Sequence, residues 1–277
     1  MTEKPEADTP RFLAWLYSTP SQQPVLAALC GIEREIGAGL RPGVDHHVAH
    51  TRLEWWREEC RRCAAGNPAH PLTRELWEQV QRLAPPPGAD SRLAGLSGLV
   101  DLAVWDLASA PFGRREELTA YCGRWSAAMV TPLSSGAEAY WGDLGAALCE
   151  LDLLARLAPD ARSGRLRVPL DELEQARVAP AALATLPWPQ ALVVILRGRH
   201  QALRQQLATA IQCLPPDAQR RSRGLLVWAA LAWQASLRAE RALPRPPAAS
   251  IASAAAANWR AWRAARAAAN GRLRLRR

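Results

Sequence analysis

LGAALCELDLLARLAPDARSGRLRVP, residues 144–169, decides how this chain is read. Its first half is lined with small and apolar residues and predicts a helix. Its second half leaves that helix through Asp160-Ala161-Arg162-Ser163-Gly164-Arg165 and stops at Pro169. Arg156 precedes Asp160 by one helical turn, so the two share a face and predict an i,i+4 ion pair.

Outward from that stretch the pattern is helical throughout. Amphipathic segments predict helices over about 11–18, 21–40, 46–65, 71–83, 91–109, 114–131, 133–158, 188–213, 216–242 and 248–270, with almost no strand signal. Proline and glycine supply the breaks, as in Arg41-Pro42-Gly43, Pro85-Pro86-Pro87-Gly88 and Pro244-Arg245-Pro246-Pro247. No repeat and no long connection divides the chain. The expected organisation is a polar, disordered N-terminus over 1–9, one all-α domain over 10–243, a proline-rich linker at 244–247 and a basic helix and tail over 248–277. That last helix is free to detach from the bundle.

The 277 residues suffice for a substantial core, and the abundance of alanine, leucine and arginine favours helix. The net charge is +9, yet Lys4 is the only lysine, so the excess follows a general preference for arginine and carries weight only where it clusters. Six scattered cysteines, at 30, 60, 63, 122, 149 and 213, fit reduced thiols and a cytoplasmic location. Cys60 and Cys63 form a lone pair without zinc-finger partners and read as structural. The longest apolar run, Leu225 to Trp233, is too short to span a bilayer. His46 and His50 share a helix face, but no third ligand accompanies them, and a solvated helix start is the expected reading.

Residues 144–169 also resemble the second aspartate-rich motif of the squalene and phytoene synthase family, close to G-x-A-x-Q-x-T-N-I-L-R-D-x-x-x-D-A-x-x-G-R-x-Y-L-P. Gly145, Ala147, Leu154, Asp160, Ala161, Gly164, Arg165 and Pro169 match, while Arg156 stands at the motif's first aspartate. Further blocks follow the family's order. Phe12 to Tyr17 and Ala28 to Ile32 resemble its entry helix and A-L-Y-A-F segment, and Arg52 to Glu59 its L-x-W-W-R-x-E block. Gly66-Asn67-Pro68-Ala69-His70-Pro71 matches G-x-P-x-H-P, and Asp106-Leu107, Glu117-Leu118 and Tyr121-Cys122 fit D-L … E-E-L-x-x-Y-C.

The resemblance implies an isoprenoid-synthase-like bundle around a central cavity, with helices 21–40 and 133–158 facing each other across it. It implies a prenyltransferase that condenses two prenyl diphosphates head to head, with magnesium held by two acidic motifs. Magnesium wants several carboxylate oxygens in near-octahedral array. Here the first motif, C-R-x-x-D-D-x-x-D, keeps Arg34 but puts Gly37, Ala38 and Arg41 at its aspartates. Glu33 and Glu35 point to nearly opposite sides of their helix and cannot replace them. Of the second motif only Asp160 survives as a candidate metal ligand. Diphosphate or pocket candidates are Arg34, Arg41, Asp106, Tyr121, Arg156, Arg162 and Arg165.

Two functional readings follow, with a third from the C-terminus. One is a catalytically impaired relative that binds an isoprenoid or serves as an accessory factor, as a mitochondrial complex I assembly factor of this family does. That reading needs no cofactor and admits a protein partner. The other is an active prenyltransferase using Mg2+ with arginines taking over part of its work. The third is peripheral binding to the inner membrane face through Trp259, Trp262, Arg263 and Arg266, which interleave aromatic and basic residues at helical spacing. No nucleic-acid-binding module is present, and no nucleic-acid partner is expected.

Overall fold

The computed structural model describes residues 4–7, 9–40, 44–83, 92–134, 138–245 and 251–275, and among them every regular element is helical. Helix α1 (Pro10–Tyr17) starts with proline, whose missing N–H and fixed φ suit a first turn, and Thr9 Oγ1 accepts the Phe12 N–H at 3.1 Å. It is followed by α2 (Gln23–Ala38), α3 (His46–Ala64) and α4 (Pro71–Leu83). The middle of the chain forms α5 (Gly98–Leu107), α6 (Arg115–Met129), α7 (Glu138–Ala155), α8 (Leu157–Arg162) and α9 (Leu170–Gln175). The last third forms α10 (Gln190–Cys213), α11 (Pro216–Arg221), α12 (Arg223–Ala242) and α13 (Ile251–Ala269).

Three expected helices are shorter than their patterns. The segment 91–109 is helical at 92–93, loosens into a turn over 94–97 and resumes as a helix at Gly98. The 216–242 pattern breaks at Ser222, where Arg223 Nε donates to the Tyr17 carbonyl at 2.7 Å as α12 docks onto α1. The 133–158 pattern breaks at Arg156 (φ −106°, ψ 13°). Pro159 explains that break, because it has no N–H for the Ala155 carbonyl and its ring crowds that oxygen. The six-residue α8 and α9 and the short 3-10 turn Pro180–Ala184 are too brief to show a period in sequence.

Helix α7 is central, packed by α6, α10 and α12. Its contact with α6 depends on Gly145, where an added Cβ would fall 2.0 Å from Ser126 Oγ and 2.8 Å from Val130 Cγ2. On the other side α2 packs on α4 and α5, burying Leu26, Leu29 and Ile32. At the α3–α4 corner the buried Glu59 accepts the Ala69 and His70 N–H groups, both at 2.8 Å, as well as Thr73 Oγ1 and Arg62 Nη2. Burial pushes its carboxyl up, but these donors outweigh that effect and hold it below the usual range. One carboxylate thus joins the sequence blocks 52–59 and 66–71.

The last helix is docked rather than detached. Ala261, Ala264, Ala265 and Ala268 are buried as α13 packs on α12, α1 and α11. Gly271 (φ +63°) then turns the chain, and the Leu273 N–H donates to Gln219 Oε1 at 2.9 Å. At the other end, Pro5 is buried and Lys4 Nζ lies 5.0 Å from the centroid of the Trp15 ring.

Candidate functional site

A cavity of about 830 Å³ lies between α2 and α7. Cys30, Glu33, Arg34 and Gly37 face it from α2, and Cys149, Asp152 and Leu153 from α7, with Arg156 just beyond. Leu102, Ala103 and Asp106 of α5, Tyr121 and Trp125 of α6, and Trp228 of α12 complete most of the wall. Thr9, Arg11, Arg165 and the segment from Lys4 to Glu6 contribute further polar surface. The expected confrontation of the two helices across a cavity is therefore present.

The carboxylates of the helical walls are already engaged. Glu33 forms a two-pronged ion pair with Arg11 and accepts the Trp125 indole N–H at 2.9 Å. The Arg11 guanidinium lies 5.8 Å and 5.3 Å from the Trp125 and Trp228 ring centroids. Burial opposes its charge, but Glu33 more than compensates and its pKa rises. Asp152 pairs with Arg156 at 2.8 Å. The expected Arg156–Asp160 pair does not form: the two stay one turn apart, the Asp160 N–H donating to the Arg156 carbonyl at 2.9 Å, but the Arg156 side chain turns back to Asp152 of α7.

Asp160 instead meets Arg167. The buried Arg167 donates through Nε to Asp160 at 2.8 Å and through Nη1 and Nη2 to the two oxygens of Asp106 at 2.7 and 3.0 Å. The fork uses the planar geometry that makes guanidinium a good partner for carboxylates. Tyr121 Oη lies 3.3 and 3.4 Å from the same Asp106 oxygens. Burial first and Asp106 second push the phenol up, so it stays protonated and donates. Asp160 is buried behind the cavity wall and is not among its lining residues.

Magnesium does not fit this arrangement. Gly37 and Ala38 offer no side-chain oxygen on α2, Arg156 stands at the first aspartate of the second motif and pairs with Asp152, and Asp160 is held by Arg167. Among the described residues no group of three or more His, Cys, Asp or Glu side chains could share an ion. The cavity thiols do not make up the deficit, since burial pushes Cys30 up to about 11 and raises Cys149 well above its ordinary value.

The other expected residues divide clearly. Arg34, Asp106, Tyr121, Arg156 and Arg165 line the cavity. Arg162 points away, donating to the Ala184 carbonyl at 3.2 Å, because the α8 turn carries it to the outer side. Arg41 lies outside the described residues. Glu33 and Glu35 do diverge, Glu35 pairing outside with Arg52 at 2.8 Å, and Asp101 is a surface partner of Arg57. Trp259, Trp262, Arg263 and Arg266 all lie exposed on α13. No described helix is long and apolar enough to cross a membrane.

Comparison with known proteins agrees with this architecture. The squalene/phytoene synthase family matches residues 4–263. The chain belongs to that family. A dehydrosqualene synthase crystallised in complex with a ligand superposes with a TM-score of 0.73 at 14% identity, over 91% of this chain and 90% of that one. The squalene synthase HpnC from Alicyclobacillus acidocaldarius gives 0.65 at 17% identity, over 83% and 87%. No curated protein sequence matches the chain.

Against the squalene/phytoene synthase pattern two further departures become legible. Arg167 stands at the tyrosine of G-R-x-Y-L-P, and Asp152 at the asparagine of T-N-I-L-R-D. Both were visible in the sequence, and Arg167 is the informative one. A cation there has no reason to be buried unless acids surround it. Arg11 and Glu33 carried no comparable signal, because their pairing spans two helices.

Proposed function

We propose that this squalene/phytoene synthase family member holds an isoprenoid, or a prenyl diphosphate, in its central cavity without carrying out magnesium-dependent condensation. It then acts as a binding or accessory protein. The observation that carries this reading is the Arg167 bridge between Asp160 and Asp106. The last aspartate of the second motif is neutralised inside the protein, and the first-motif positions 37 and 38 carry none.

The cavity's dimensions fall within the ordinary range for small-molecule sites, about 300–1,000 Å³. Ile36, Leu99, Leu102 and Trp228 supply apolar wall for a hydrocarbon chain, while Arg34, Arg165 and Lys4 supply cations for an anionic head. Guanidinium forks match phosphate oxygens directly and need no bridging metal. A ligand held this way would be oriented and shielded from water, but its diphosphate would lack the metal charge that helps it depart.

Purified protein incubated with farnesyl or geranylgeranyl diphosphate and Mg2+ should release no pyrophosphate and form no condensed hydrocarbon above background. Turnover in the ordinary enzyme range, about 1 per second or faster, would overturn the proposal in favour of an active prenyltransferase.

A further inference from the structure

We propose that the outer face of α13 is a docking surface for an anionic lipid bilayer. Residues 243–277 contain eight arginines and no aspartate or glutamate. The preceding 242 residues hold the remaining 27 cations against 26 acids. Nearly all of the net charge therefore belongs to this one segment.

The fold gives the segment a definite geometry. With Ala261, Ala264, Ala265 and Ala268 sealed against the bundle, the opposite face is turned outward. At about 100° per residue, Trp259, Trp262, Arg263 and Arg266 fall within an arc of roughly 100° on that face. Trp259 and Trp262 are 58% and 40% exposed, which is unusual for so large an apolar side chain. Their rings stack at 4.9 Å, and the Arg266 guanidinium lies 5.6 Å from the Trp262 centroid. After the turn at Gly271, Arg272 and Arg274 are also exposed, on a tail pinned by Leu273.

A bilayer surface matches each of these features. Indole rings favour the headgroup boundary, and arginines above anionic lipid gain from its surface potential. The helix lies along the protein surface, so it would lie in the plane of the interface rather than insert. Single-stranded nucleic acid is the poorer fit. Its bases stack on open aromatic platforms, whereas these two rings are stacked on each other.

Full-length protein is tested by co-sedimentation with phosphatidylcholine vesicles, with and without about 30 mol% phosphatidylserine. Binding is expected only with the anionic lipid, and it should fall as salt rises from about 0.05 to 0.5 M. The exposed pair Arg263→Gln/Arg266→Gln should lower the partition coefficient about 25-fold, roughly fivefold per charge. Trp259→Ser should lower it further at unchanged charge. The control Arg82→Gln/Arg197→Gln removes two exposed arginines elsewhere and should change it by less than about twofold. Circular dichroism melts verify that every variant remains folded. Three results would each overturn the proposal: no anionic-lipid binding at low salt, equal losses for patch and control variants, or tighter patch-dependent binding to an oligonucleotide than to vesicles.

Discussion

Two corners of this bundle each bury a carboxylate, and they solve the problem in opposite ways. At the α3–α4 corner, Glu59 is satisfied mainly by what the chain itself offers: two backbone N–H groups and the Thr73 hydroxyl, with Arg62 closing the set. At the α7–α8 corner, Asp160 and Asp106 are satisfied by the side chain of Arg167. The first solution fixes a loop, and its Glu59 and His70 stand at positions that match the family pattern. The second uses a residue that departs from the pattern and consumes acids that a metal would need. A family motif therefore contains separable parts. Gly145, Gly164 and Pro169 serve the path of the chain, through a close helix contact, a φ of +85° and a helix start. They persist here although the motif's first aspartate position holds Arg156.

The strongest way to break this comparison is to remove Arg167. Arg167→Met leaves the buried Asp160 and the half-buried Asp106 without their cation and should destabilise the protein by about 3–5 kcal/mol in urea unfolding. Stability close to that of the parent would mean that the three charges are independent and that Asp160 is available for other work.

The Glu59 corner should respond less, and with a distinct pH signature. Glu59→Gln keeps the shape but weakens charge-assisted hydrogen bonds, with an expected loss of about 2–3 kcal/mol at neutral pH. Its carboxyl pKa is lower in the folded than in the unfolded protein. The stability it contributes is therefore complete above the unfolded carboxylate value and is lost as pH falls through the lower folded value. The variant should show a flatter acid limb in that window. Buried His200, which lies 3.0 Å from Ser236 Oγ, supplies a separate window. Burial first and Arg204 second push it down to about 4. Its neutral form therefore costs stability as pH falls from about 6.5 towards that value, because the unfolded chain takes up the proton first. Comparing Glu59→Gln in a His200→Gln background isolates the lower window. An acid limb unchanged by Glu59→Gln would remove the distinction between the two corners.

The fold was legible in sequence because helical periodicity, proline breaks and ordered family blocks all pointed one way. The cavity wall was partly legible: Arg34, Asp106, Tyr121, Arg156 and Arg165 all face it. Partners were harder to read. Arg156 has an acid one turn away on either side, Asp152 and Asp160, and helical spacing alone does not choose between them; Arg167 takes Asp160 and leaves Asp152 to Arg156. The Arg11–Glu33 pair joins residues on different helices, and local spacing carries no information about such contacts. Arg167 was visible in the sequence, but its role was hidden for a different reason. Its significance lies in a substitution for tyrosine, and only burial between two acids reveals what the substitution does.

The central claim is that arginines, not magnesium, meet the acids and anions of this cavity. The most direct measurement is calorimetric titration of the full-length protein with farnesyl diphosphate, once with excess Mg2+ and once with a chelator. Affinity should be the same within about twofold in the two conditions. A tenfold or greater tightening by Mg2+, about 1.4 kcal/mol, would contradict it and return Asp106, Asp152 or Asp160 to the metal.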